Sequence, residues 1–276
     1  MLQTTNYFSL LSFVLVFIIG LIIGSFLSVV ISRLPKGEQF IGGRSYCPHC
    51  RHYLGWHDLV PVLSFLILRG HCRYCRNKIS PTYPIIELCS GIIVAVSFLF
   101  LSPFGLAYWL FWVFILELLL ILALIDLRHF ILPDSVMVAI LVAFVCYEIL
   151  GGQIAGADPV FSFGNLAGAA ILFLIFFLIW SFSNGKWMGL GDVKLAGLLG
   201  LVFGFWNSVL ILYLAVVMGA AAGLALILLG RGNLKTKLPF GAFICFSVIF
   251  FTLVGWSISE RMGELFKHLL FKVNLF

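Results

Sequence analysis

Two carboxylates stand out in an otherwise apolar chain. Asp192 follows a pair of glycines in Met188-Gly-Leu-Gly-Asp-Val-Lys-Leu195, and Asp126 closes the run Leu124-Ile125-Asp126. Gly189 and Gly191 let the backbone bend and approach a neighbour closely, and Lys194 follows two residues later. A carboxylate at a membrane boundary is costly unless solvated or paired, which makes each Asp a functional candidate. Two held close cannot both ionise, so they share a proton. The ionised member can activate water while the protonated one donates to a carbonyl oxygen. That is hydrolytic chemistry. Helix capping is the plainer alternative, because Asp is a favoured N-cap. Asp134, which follows Pro133 and precedes an apolar run, reads as a cap, and spacing alone leaves Asp192 divided between the two roles.

A second cluster lies upstream, in Cys47-Pro-His-Cys50 and Cys72-Arg-Tyr-Cys75. Two such knuckles supply four thiolates for a tetrahedral Zn²⁺. Disulfides are the rival, but a cytoplasmic location, argued below from charge, keeps thiols reduced. Four thiolates fill the site, so His49, His52, His57 and His71 are expected at its surface or beside its ligands. Cys89, Cys146 and Cys245 lie in apolar runs and read as small buried hydrophobes.

The elements that must position these groups follow from composition. The chain has 276 residues, of which 62% are hydrophobic and 10% charged, with a mean hydropathy of +1.15. No water-soluble domain hides so much apolar surface, so an all-α polytopic membrane protein is expected. Nucleic acid is not implied by the net charge of +6, because the basic residues sit in short connections between apolar runs. About eight stretches approach the roughly 20 residues that a bilayer requires: 8–31, 84–101, 106–125, 135–150, 163–182, 193–205, 208–229 and 238–257. The sixth is short and Gly-rich, and its boundary with the seventh falls near Gly204–Asn207.

Four segments result: a first span (1–31), a polar insertion (32–83) holding both knuckles, a membrane domain (84–257) and a tail (258–276). Basic residues before the first apolar run are lacking, which has the wrong polarity for a cleaved signal peptide. The insertion and the connections carrying Arg128, Lys186 and Arg231 are basic, whereas the alternate connections carry no positive charge. This asymmetry places the insertion, Asp126 and Asp192 on the cytoplasmic side. The tail spaces Met262, Leu265, Phe266, Leu269 and Leu270 for a helix lying in the interface. Glu117, inside the third span, is expected to hydrogen-bond a neighbouring span, and Glu87 to pair with a nearby Lys or Arg.

These residues resemble the type IV prepilin peptidases, membrane aspartic proteases of the GxGD group. The resemblance rests on Asp126…Pro133-Asp134 and on Gly189-Leu190-Gly191-Asp192-Val193-Lys194. It extends through Gly24-Ser25-Phe26-Leu27, Arg33-Leu34-Pro35, Pro61-Val62-Leu63-Ser64, Tyr83-Pro84…Glu87 and Leu238-Pro239-Phe240-Gly241. It implies a catalytic dyad of Asp126 and Asp192, with Asp134, Lys194 and the two glycines supporting it. It implies an enzyme of the bacterial inner membrane that cuts the basic leader from type IV prepilins or secretion pseudopilins. Larger members also N-methylate the new N-terminus with S-adenosylmethionine, and the insertion is tied to that step. One departure is Ser28, where the family's Gly-Ser-Phe-Leu-Asn carries an amide. A peptidase with a purely structural zinc domain and an ion-coupled transporter using Asp126, Asp192 and Glu117 are the alternatives.

Overall fold

An apolar chain in lipid must satisfy its backbone polar groups internally, and helices do so within one segment. The computed structural model describes residues 10–39, 42, 44–155, 163–233 and 236–255, so the expected interfacial tail lies outside the described residues. Its elements are α1 (Leu10–Arg33), the short α2 (Leu63–Ile67), α3 (Thr82–Leu101), α4 (Leu106–His129), α5 (Asp134–Ala155), α6 (Phe163–Phe182), α7 (Leu190–Leu228) and α8 (Phe240–Phe250). No strand occurs among the described residues. Among the described residues, 5 helices are long and apolar enough to cross a membrane: α1, α3, α4, α6 and α7. The chain is a multi-pass membrane protein. It divides into two compact units, Met1–Ile125 and Asp126–Phe276, so the last turn of α4 opens the second unit.

In the first unit, small residues let backbones meet. A Cβ on Gly20 would lie 2.7 Å from the Cα of Gly91, and one on Gly24 would lie 2.7 Å from the Cα of Glu87. Gly20 and Gly24 thus form a Gly-x-x-x-Gly face on α1 against α3, which supplies close van der Waals packing where lipid offers no hydrophobic drive. Polar atoms join the same contact. Ser90 Oγ lies 2.7 Å from the Gly20 carbonyl and 2.8 Å from Glu117 Oε1 on α4. Glu117 therefore meets a neighbouring span through Ser90. Trp109 Nε1 donates to Ser97 Oγ at 3.0 Å, tying α4 to α3 a few turns away.

In the second unit, α6 and α7 approach closely through glycine, a Cβ on Gly200 falling 2.6 Å from the backbone of Gly168. The α7 element covers 39 residues, about 58 Å at 1.5 Å per residue and twice a bilayer core. It is two helices joined at Gly204, whose φ of 71° and ψ of 176° break the hydrogen-bond ladder. The two expected spans meet there. The freed carbonyls are met by side chains: Asn165 Nδ2 donates to Leu201 O at 3.1 Å and Asn207 Nδ2 to Phe203 O at 3.2 Å. Ser208 Oγ lies 2.6 Å from Gly204 O. A helix break at membrane depth is tolerated only with such partners.

Candidate active site

Asp126 occupies the last turn of α4, and the chain leaves that helix through Phe130, whose φ is 55°. An acidic residue at a helix C-terminus opposes the macrodipole, so capping does not account for it. Its carboxylate instead reaches the start of α8, where Oδ2 accepts the Ala242 N–H at 2.7 Å. The first N–H groups of a helix have no intrahelical partner and suit an anion. Asp126 is 6% exposed.

Asp192 sits in the first turn of α7, where the dipole favours it. Its Oδ2 accepts the Gly189 N–H at 3.3 Å, half of a capping box that glycine cannot return. Its other oxygen faces Gly241. A Cβ on Gly241 would lie 2.9 Å from Asp126 Oδ2 and 3.0 Å from Asp192 Oδ1. The two carboxylates thus converge on one point beside α8, no farther apart than those two distances together. Leu132 closes the third side, 2.7 Å from the same point and 2.9 Å from a Cβ placed on Gly191. Gly191 and Gly241 are the close approaches the pair requires.

Lys194 points elsewhere. Its Nζ meets both oxygens of Asp134 at 2.8 Å, and both side chains are exposed. Asp134 begins α5, so this pair links the starts of α5 and α7 and leaves Asp126 and Asp192 without a lysine partner from it. Sequence reasoning quoted Gly241 within a motif without giving it a role and missed Ala242. The available signal was Leu238-Pro239-Phe240-Gly241, a proline just before a helix and a glycine in its first turn.

The first unit holds the cysteine cluster. The sulfurs of Cys47, Cys50, Cys72 and Cys75 all lie within 4.8 Å of one another. Cys47 and Cys75 sulfurs are 3.9 Å apart, near the about 3.8 Å edge of a tetrahedron with ~2.3 Å metal–sulfur bonds. The knuckles repeat one turn. The N–H of Arg51 bonds the Cys47 carbonyl at 2.8 Å, that of Arg76 the Cys72 carbonyl at 3.0 Å, and both arginines have positive φ. Burial opposes ionisation of Cys47, but the N–H groups of Cys50 and His49 outweigh it and bring the thiol down to about 7. The Asn77 N–H favours the Cys75 thiolate, yet burial and its three sulfur neighbours push it up to about 11. Four thiolates this close repel, and a dication relieves that repulsion. The donor set fits Zn²⁺.

Asp58 ties the loop between the knuckles to the second one. It accepts from Arg73 Nε at 2.7 Å, Tyr74 Oη at 3.2 Å and the Gly55 N–H at 3.2 Å. Burial would raise this carboxyl, but Arg73, the Gly55 N–H and His57 hold it below the usual carboxylate range. Two of the histidines have other partners: the His52 ring lies against Tyr74, tilted by 34° with ring centroids 3.7 Å apart, and His71 Nδ1 contacts Arg69 O at 2.7 Å. Glu87 differs from expectation. It is 8% exposed and accepts the Val62 N–H at 2.8 Å, with no Lys or Arg paired to it among the described residues.

The fold and site define a polytopic helical membrane protein with two converging carboxylates and a four-cysteine centre. Residues 18–101 match the bacterial peptidase A24 N-terminal domain, and residues 113–224 match the type IV leader peptidase family. The prepilin leader peptidase/N-methyltransferase of Myxococcus xanthus is 38% identical over 239 residues, which are 84% of this chain and 68% of the relative. That of Aeromonas hydrophila is 34% identical over 277 residues, 91% of this chain and 93% of the relative. The Bacillus subtilis relative of the same name is 34% identical, across 88% of this chain and 95% of its own. No solved structure gives a significant match. The chain belongs to the type IV leader peptidase family.

Proposed function

We propose that this protein is an aspartic endopeptidase that removes the leader from type IV prepilins or pseudopilins and then N-methylates the new N-terminus. The observation that carries the peptidase reading is the convergence of Asp126 and Asp192 on Gly241. Backbone N–H groups hold Asp126 Oδ2 and Asp192 Oδ2, so the carboxylates are fixed before substrate arrives. One ionised carboxylate takes a proton from water as the water oxygen attacks the scissile carbonyl carbon. The other, protonated, gives its proton to the carbonyl oxygen. Collapse of the tetrahedral species breaks the C–N bond, and a carboxyl returns a proton to the leaving amine. The basic connections support a site at the cytoplasmic face of the inner membrane, where a basic leader would remain while the substrate's apolar helix stays in lipid.

Cys47, Cys50, Cys72 and Cys75 would hold a structural Zn²⁺ that staples a small insertion with little apolar core of its own. S-adenosylmethionine would supply an electrophilic methyl group, whose transfer to a neutral α-amine leaves S-adenosylhomocysteine and releases one proton. The name shared by the relatives supports this second step.

The test is an intact-mass assay of a prepilin with purified protein and S-adenosylmethionine. Wild type is expected to remove the leader and add one methyl group. Asp126→Asn and Asp192→Asn are each expected to slow cleavage by about 10²–10⁴-fold. Cleavage at the wild-type rate by both variants would overturn the aspartic mechanism.

A further inference from the structure

A cavity of about 570 Å³ lies in the first unit, bounded by α1, the knuckles and the start of α3. It falls in the ~300–1,000 Å³ range of small-ligand sites. Glu87 forms part of its wall while being 8% exposed. Its carboxylate has neutral donors, the Val62 N–H at 2.8 Å and the Ser25 hydroxyl, and no cation is paired with it among the described residues. Val62 makes that bond from a φ of 59°, a conformation that is strained for a β-branched residue and persists where surroundings enforce it. Ser28 also lines the cavity, but its hydroxyl turns back to the Ser25 carbonyl at 2.7 Å.

We infer that this cavity is the methyl-donor site, and that Glu87 is the binding residue that selects a sulfonium. The inference rests on the methyltransferase reading and deepens it. A buried carboxylate without a counter-cation favours a positive ligand, because little solvent reaches its charge to screen it. Phe26 and Tyr83 offer surface to a purine, and Lys36 and Lys78 can meet the carboxylate of an amino-acid tail. Methyl transfer turns the sulfonium into a neutral thioether, so the attraction to Glu87 disappears with the reaction and product release follows. Cys47 and Cys72 belong to the same wall, which explains why a methyl-donor site and a metal-stapled insertion occur together.

The experiment is equilibrium dialysis of full-length protein in detergent against radiolabelled S-adenosylmethionine and, separately, S-adenosylhomocysteine. Glu87→Gln is expected to weaken the first about tenfold or more and to leave the second within about twofold. A carboxyl with a merely structural role would move both together. Leu59→Trp, which fills the cavity from a half-exposed wall position, is expected to weaken both ligands, with melting temperature reading the fold. If Glu87→Gln does not fold, the Leu59→Trp result decides whether this cavity is the site. Equal losses or no change in Glu87→Gln, or full binding of both ligands in Leu59→Trp, would overturn the inference. With methylation by wild type intact, such a result leaves the methyltransferase reading standing. Wild type that neither binds the donor nor methylates would remove that reading and the inference with it.

Discussion

The cysteine centre and the carboxylate pair are assembled in opposite ways. Each knuckle is local: a Cys-x-x-Cys turn closed by an arginine at positive φ and repeated once, with Asp58 tying the intervening loop to the second turn. The carboxylate pair has no local frame. Asp126 comes from the end of α4, Asp192 from the start of α7, and the point where they meet is backbone of α8. A site made of turns tolerates change in the surrounding helices but depends on its own ligands. A site made by helix packing depends on how closely three backbones approach.

The sharpest way to break this comparison is Gly241→Ala. The new Cβ would stand 2.7 Å from Leu132 and within 3.0 Å of both carboxylates, so these side chains or α8 must shift out of the geometry that brings the pair together. A displacement of this size costs roughly 10²-fold in rate. We expect cleavage to fall by about that factor while zinc content, measured by elemental analysis, is unchanged. Cys72→Ser gives the converse. The insertion should lose on the order of several kcal/mol of stability and the bound metal, seen as faster tryptic cutting after Arg51, Arg69 and Arg76.

Asp58→Asn has a smaller effect on the same region. Hydrogen bonds to a charged group contribute about 1.5–3 kcal/mol, so the melting temperature should drop modestly. Because the folded carboxyl lies below its ordinary value, its contribution is complete above the unfolded pKa of about 3.9 and is lost as pH falls through the folded value. The stability gap between wild type and Asp58→Asn should therefore close on acidification below that window. The smallest effect belongs to Lys194→Ala. Its exposed pair with Asp134 contributes less than about 1 kcal/mol, and cleavage should change by no more than severalfold. A loss as large as that of Gly241→Ala would show that this exposed pair governs Asp126 and Asp192.

The candidate groups were legible because they are written in residue types. Aspartates beside glycines and paired cysteines read directly, and apolar runs marked the helices because lipid admits few other solutions. What was not legible depends on three-dimensional approach. Gly20 and Gly24 were visible as letters, but their partners, Gly91 and Glu87, are set by the packing of α1 on α3. Lys194 stands two residues from Asp192, yet its side chain leaves the helix in another direction and meets Asp134. Glu87 was expected to find a cation from nearby charge, and it found a backbone N–H instead. Short-range sequence gives the inventory of groups, while orientation around a helix decides which of them touch.

The break in α7 has a further consequence, which concerns handedness. At φ 71° and ψ 176°, Gly204 adopts a backbone whose mirror image is the common extended conformation of an L residue. An L side chain there would meet Asn165, with its Cβ 3.2 Å from Oδ1. A D-alanine would instead hold this backbone at ease. The long element that begins beside Asp192 thus turns on one achiral residue, and among the encoded amino acids only glycine supplies it.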